Sequence, residues 1–388
     1  MNPIYRDMGT TIFEATSARA RARGAINLGQ GFPDGPRAEA VIAAAAAALQ
    51  ERSNQYPPMA GLPELRAAVA AWYGRHQGLA LAPEEVTVTS GATEALAAAL
   101  LALVCPGDEV IIFEPAYDAY RPLIERTGGV VKPVALTLPE GRIDRTALAA
   151  ALGPRTRLLL LNDPLNPLGT RLPESDLAHL AEACTAHDLT AICDEVWEAL
   201  VYDGARHRSL MDFPGMRERT VKIGSAGKIF GLTGWKVGWM CAAAPLAQGL
   251  ARAHQFLTFT TPPNLQWAVA EGLVREDGFV AEARAQHQAA RDHLRAGLAA
   301  LGLVTLPAAA TYFVTLDLAA SGVALSDREF CATLIDEAGV AAIPVSAFCA
   351  APGPGHLVRF CFAKERAVLD EALARLAAWR AAFGRSEP

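Results

Sequence analysis

The chain lacks any run of about 18 apolar residues, the length a helix needs to cross a bilayer. Its most alanine-rich stretch, AVIAAAAAALQ at 40–50, reads as a helix of about three turns and ends in the polar QERSNQ. It also lacks a basic patch. With 35 Lys and Arg against 41 Asp and Glu, the net charge is −6 and no Lys/Arg run stands out, so neither nucleic acid nor an anionic membrane is an expected partner. The seven cysteines are scattered, odd in number and contain no CxxC pair, which argues against a disulfide framework and against a zinc site. They read as small buried hydrophobes, and no metal is expected. The opening MNPIYRDMGTTIFEATS carries charges and no apolar core of signal-peptide length, so a reducing, cytoplasmic setting is expected. There is no internal repeat.

What remains is ordinary globular composition, 52% hydrophobic and 20% charged, with an order that is informative. Residues 1–35 read as an arm: a short helical piece, then the Gly- and Pro-rich INLGQGFPDGP. From 36 to 275 apolar strand-like runs alternate with amphipathic helices. The strand candidates are VTVTS (86–90), EVIIFEP (109–115), RLLLLND (157–163), TAICDE (190–195), TVKIGS (220–225) and VGWMCAA (237–243). Runs of this kind suit an α/β fold with a mostly parallel central sheet covered by helices on both faces. From 276 to 388 a long charged helix, short strands and a final helix read as a smaller α+β domain.

Four stretches carry candidate chemistry. TSGATEAL (89–96) turns from strand to helix, and the free N–H groups at Gly91, Ala92 and Thr93 could cradle a phosphate. Alone, it reads first as a plain strand–helix turn. LNDPLNPLGT (161–170) places Asn166 in a proline-stiffened loop at a strand's carboxyl end, where open α/β sheets bind ligands. ICDEVWEAL (192–200) ends an apolar strand on Asp194, a position that a helix cap would also explain. SAGKIFGLTGWKVGW (225–239) puts Lys228 and Lys236 among glycines and apolar residues. A desolvated lysine can hold a carbonyl as a Schiff base, and Ser225 and Lys236 suit a nearby anion. One ligand explains all four stretches: pyridoxal 5′-phosphate, with its phosphate, basic ring nitrogen, phenolic oxygen and aldehyde.

In the order and spacing of these motifs the chain resembles the class I/II aminotransferases of PLP fold type I. Within them it is most similar to the kynurenine/glutamine transaminase, methionine aminotransferase and N-succinyldiaminopimelate aminotransferase branch. The resemblance runs from NLGQGFPDGP through NQYPPMAGLPELR, FEPAYDAY, NDPLNPLG and FTTPPNLQWAVAE to HLVRFCFAKE. It implies a homodimer with shared active sites and a set of residue roles. Lys228 would bond the cofactor aldehyde and shuttle the substrate α-proton. Asp194 would pair with the ring nitrogen, Asn166 with the phenolic oxygen, and Tyr117 would stack on the ring. Gly91, Ala92, Thr93, Ser225 and Lys236 would hold the phosphate, and Tyr56 would reach the neighbouring subunit's phosphate. Arg359 would take the substrate carboxylate, with Gly31 approaching it through its backbone. Phe13 and Phe259 would line the side-chain pocket.

Two departures stand out. The family's Asp-Glu-Val-Tyr is Asp-Glu-Val-Trp here, so Trp197 offers an indole donor in place of a phenol near the same oxygen. In NDPLNP, Asp163 and Leu165 replace more usual residues, and Leu165 is expected to make the site less polar. The expected reaction is ping-pong transfer of the α-amino group of an apolar, sulfur-containing or aromatic L-amino acid (Met, Gln, Phe or kynurenine type) to a 2-oxo acid. The alternatives are an N-succinyldiaminopimelate aminotransferase, a cysteine-conjugate β-lyase using the same Lys228, and a non-catalytic PLP-binding regulator.

Overall fold

The structure is a computed structural model and describes residues 1–6, 8–35, 37–350 and 353–383. The six apolar runs all form strands of one eight-stranded sheet. Along the sheet the order is Val86–Thr89, Gly238–Cys241, Thr220–Ser225, Thr190–Asp194, Thr156–Asn162, Glu109–Glu114, Val130–Thr137 and Arg142–Ile143. The five strands from Thr220–Ser225 to Val130–Thr137 are parallel. Gly238–Cys241 runs antiparallel to both its neighbours, and Arg142–Ile143 to its one. Successive residues of the central strands enter different apolar clusters. Val110, Ile112, Leu158, Leu160 and Ile192 join one cluster, while Ile111, Phe113, Leu159, Leu161 and Ala191 join another. Both faces are therefore covered, which is why these strands are apolar throughout rather than alternating.

The strand Val130–Thr137 had no such signature. It lies near the sheet edge, its residues alternate between exposed and buried near its end, and Pro133 interrupts its donor pattern.

A second, antiparallel sheet is ordered Val304–Thr305, Phe313–Asp317, Leu357–Cys361 and Ile343–Pro344. The long helix Asp277–Ala300 and the last helix Arg366–Phe383 pack beside it. The sequence SDREFCATLIDEAGV gives a helix only to Thr333, then a wider turn over Leu334–Ala338. Near the N-terminus the helix Ile12–Arg23 leads to Ile26–Asn27, which pairs in parallel with Val340–Ala341. The beginning of the chain is thus fastened to its last third. Among the described residues no helix is long and apolar enough to cross a membrane.

Candidate active site

The parallel strands end at Asn162, Asp194 and Ser225. Their register sets Asn162 beside Asp194. A cavity of about 420 Å³ opens above these ends. Of the residues read from the sequence it brings together Phe13, Gly31, Gly91, Ala92, Thr93, Tyr117, Asn166, Asp194, Trp197, Ser225, Lys228, Lys236 and Arg359.

Lys228 follows the strand Thr220–Ser225 in a single turn of helix, Ala226–Ile229. Its ammonium lies 4.4 Å from the centre of the Trp197 ring and 5.7 Å from that of Tyr312. Burial, reinforced by the charges of Arg359 and Lys236 and opposed by Asp194, pulls its pKa down to about 8. Near neutrality the free amine, which is the nucleophilic form, is far better populated than in an exposed lysine.

Asp194 is buried and accepts a hydrogen bond from the Tyr120 hydroxyl at 2.6 Å. Burial pushes its pKa up to about 6, with the Tyr120 bond, the Val196 N–H and Lys228 pulling the other way. Asn162 steadies the same strand end: its amide donates to the Asp194 carbonyl at 2.9 Å and its oxygen accepts the Asn166 N–H at 2.9 Å.

Arg359, on the strand Leu357–Cys361, is 1% exposed and has no carboxylate within salt-bridge distance among the described residues. It donates to the Asn166 side-chain oxygen at 2.8 Å and to the Gly29 carbonyl at 2.7 Å, while its buried Nε has no partner among the described residues. Its guanidinium carbon lies 4.0 Å from the centre of the Phe313 ring, and 5.2 Å from those of Phe13 and Phe348. Burial lowers its pKa to about 10. A buried guanidinium with a free edge calls for an anion.

Gly91 takes φ 79° and caps the helix Ala92–Leu103. A side chain there would be strained and would crowd the Lys236 ammonium at 3.3 Å. Gly238 is equally constrained, because a Cβ would come within 2.8 Å of the Ala92 nitrogen. Lys236, exposed and in the left-handed region, reaches the Thr93 hydroxyl at 3.5 Å. A helix end, two hydroxyl residues and an ammonium converge on one corner, as a phosphate requires.

One reading needs correction, and three other residues lie where a single chain leaves their roles open. Leu165 does not line the cavity. It is buried in the apolar cluster with Phe113, Leu161 and Leu168, because the loop turns its side chain away from Asn166. Trp197 packs edge-on against Tyr312 and Phe313, and its indole N–H has no hydrogen-bond partner among the described residues. Tyr56 and Phe259 stand outside the cavity. They meet edge-to-face at 5.5 Å and are 82% and 40% exposed. Arg121 pairs with Glu114 at 3.0 Å and does not line the cavity.

Sequence reasoning missed Tyr120 and Asn162, although both sit in the motifs it singled out. The second tyrosine of FEPAYDAY and the first asparagine of NDPLN were the available signals. Asp118, Gln30 and Thr11 also line the cavity unforeseen.

This arrangement fits pyridoxal phosphate: a phosphate corner, a carboxylate with a donor behind it, a desolvated amine and an unsatisfied guanidinium on one cavity. A family model described as aminotransferase class I and II matches residues 23–376. The chain belongs to that family. It is 46% identical over 385 residues to a "Probable N-succinyldiaminopimelate aminotransferase DapC" of Mycobacterium tuberculosis, covering 96% of each chain. It is 43% identical to the methionine aminotransferase of Escherichia coli, covering 95% of this chain and 96% of that one. The structure of N-succinyldiaminopimelate aminotransferase from M. tuberculosis superposes with a TM-score of 0.94 at 45% identity, covering 97% of this chain and 99% of that one. The protein is an aminotransferase of PLP fold type I, and its cofactor is pyridoxal 5′-phosphate.

Proposed function

We propose that this aminotransferase acts on L-amino acids with uncharged side chains, of the methionine, glutamine, phenylalanine or kynurenine type, and passes the amino group to a 2-oxo acid. The observation that carries this reading is the charge inventory of the cavity. Arg359 is the sole arginine lining it among the described residues, and that suffices for one α-carboxylate. The rest of the wall toward the N-terminal segment is Phe13, Thr11, Gln30 and Asp118, with no cation for a second carboxylate.

Bound pyridoxal phosphate supplies an aldehyde for the amino group and a ring that accepts electrons from the substrate α-carbon. Lys228 would hold that aldehyde and would carry the α-proton on Nζ. Asp194, oriented by Tyr120, would pair with the ring nitrogen and keep it protonated. Asn166 would donate to the phenolic oxygen while its own oxygen holds Arg359. Tyr117, pushed by burial to a pKa of about 12, stays neutral as a stacking face. Trp197 is a wall beside the Lys228 amine. A second copy of the chain would cover the exposed Tyr56 and Phe259 and bring them to its neighbour's cavity, making a homodimer.

The M. tuberculosis relative favours a second reading, N-succinyldiaminopimelate as substrate. That compound carries carboxylates beyond the one Arg359 would take, so the extra cations would come from the neighbouring subunit. The test is to offer methionine, glutamine, phenylalanine, kynurenine and N-succinyldiaminopimelate separately and measure the 2-oxo acid released. Uncharged donors should exceed the succinylated one by ten-fold or more, about what a missing charged contact costs. The reverse ranking would overturn the first reading, and pyruvate with ammonia from cysteine conjugates would indicate β-elimination.

A further inference from the structure

Glu94 stands in the first turn of the helix whose N-terminus, Gly91 to Thr93, forms the phosphate corner. It is 9% exposed, and one carboxylate oxygen accepts the Ser90 N–H at 2.5 Å. A carboxylate so placed steadies the turn, but it also sets a negative charge beside a site meant for a dianion. The other carboxylate oxygen faces Nδ1 of His254 at 2.5 Å. His254 is fully buried near the end of the helix Ala244–Gln255, and its Nε2 faces the Met59 carbonyl at 3.0 Å. Both ring nitrogens thus meet acceptors, and only the imidazolium can donate from both.

We propose that His254 is a positioning residue for the phosphate corner: as an imidazolium it cancels the charge of Glu94, so the helix end offers donors without repelling the cofactor phosphate. The inference rests on the assignment of that corner to the phosphate. Burial alone would discharge the ring. The Glu94 carboxylate, together with the Met59 and Phe259 carbonyls, overcomes it and raises the His254 pKa above its ordinary value. The same knot fixes the neighbouring loops. Ser90 and Thr261 share a hydroxyl contact at 3.1 Å, and Gln266 ties the Leu62 N–H to the Thr261 carbonyl at 2.8 and 2.7 Å. The turn that holds the phosphate and the segments bearing Tyr56 and Phe259 are therefore set by one buried ion pair and its surroundings.

The test compares pyridoxal 5′-phosphate with pyridoxal, which lacks the phosphate, as ligands of the full chain stripped of cofactor. His254→Gln leaves Glu94 uncompensated and should weaken pyridoxal phosphate by about ten-fold or more while moving pyridoxal by less than about two-fold. Glu94→Gln and the double variant, which carry no stray negative charge, should bind pyridoxal phosphate within about three-fold of the wild type. Equal losses for both ligands, or a loss in Glu94→Gln as large as in His254→Gln, would make the pair merely structural and overturn the proposal. Histidine ring NMR of the wild type is the second readout. An imidazolium at pH 7 supports the proposal, and a neutral ring overturns it even where His254→Gln does not fold. Failure of the wild type to prefer pyridoxal phosphate over pyridoxal would instead overturn the phosphate assignment itself.

Discussion

Lys222 and Lys228 lie six residues apart, the first fully buried and the second half-buried in the cavity wall, and their environments treat them in opposite ways. Lys222 sits in the strand Thr220–Ser225 with its ammonium donating to Glu195 and, at 2.6 Å, to Glu198. Those carboxylates are completed by His207, by Ser209 at 2.7 Å and by Tyr73 at 2.8 Å, whose oxygen takes the Trp239 indole N–H at 2.7 Å. Burial lowers the Lys222 pKa, but the two carboxylates outweigh it and raise it above the ordinary value. Glu195, Glu198 and His207 also stand close enough to hold a metal, but the Lys222 ammonium already bridges the two carboxylates. Among the described residues Lys228 has no such partner, and its pKa falls to about 8. The arginines repeat the contrast. Arg291 is buried with both ends of its fork on Asp203 at 2.7 Å and its pKa raised; Arg359 is buried without a carboxylate and its pKa lowered. Burial alone does not mark a working residue. An incomplete set of partners does.

Substitutions should separate the two kinds. Lys228→Ala should cut transamination by about 10⁴-fold or more, measured as single-turnover release of 2-oxo acid. The same change should stabilise the cofactor-free chain at neutral pH. Its folded pKa lies below the unfolded 10.5, so the unfolded chain binds more protons and wild-type stability rises as pH climbs from about 8 toward 10.5. Denaturant melts across that window should show the rise in the wild type and not in the variant. Lys222→Met should do the reverse, losing about 3–5 kcal/mol of stability because two buried carboxylates lose their cation. Arg359→Gln should lower kcat/KM by about 100-fold, mainly through KM. Tyr120→Phe should have the smallest effect, about ten-fold in activity near neutrality. Because the Tyr120 bond lowers the Asp194 pKa, its removal should move the acid limb of the kcat/KM profile to higher pH.

Much of this contrast was out of reach of the sequence, for a physical reason. The strands that position the site are buried on both faces and read directly as apolar runs, so the carboxyl-end location of Asp194, Ser225 and Lys228 followed. A lysine inside TVKIGS could not be told from an exposed or a reactive one, because its partners, Glu195 and Glu198, come from the turn after the neighbouring strand. The strand Val130–Thr137 was hidden by its half-exposed edge position and Pro133. Tyr120 was masked by Tyr117: both belong to one motif, and only the helical start at Tyr120 decides which hydroxyl reaches Asp194. Leu165 was misjudged because a loop's residue type says nothing about which way its side chain faces.

The two bonds of Arg359 join parts of the chain that are far apart in sequence. Asn166 belongs to a loop of the large sheet, Gly29 follows the short ribbon that ties residues 26–27 to 340–341, and the guanidinium itself rides on the second sheet. It is a rivet through three plates. Any carboxylate that takes up its free edge draws on all three at once, so grip on the substrate and the fit between the two halves of the molecule are tuned by the same screw.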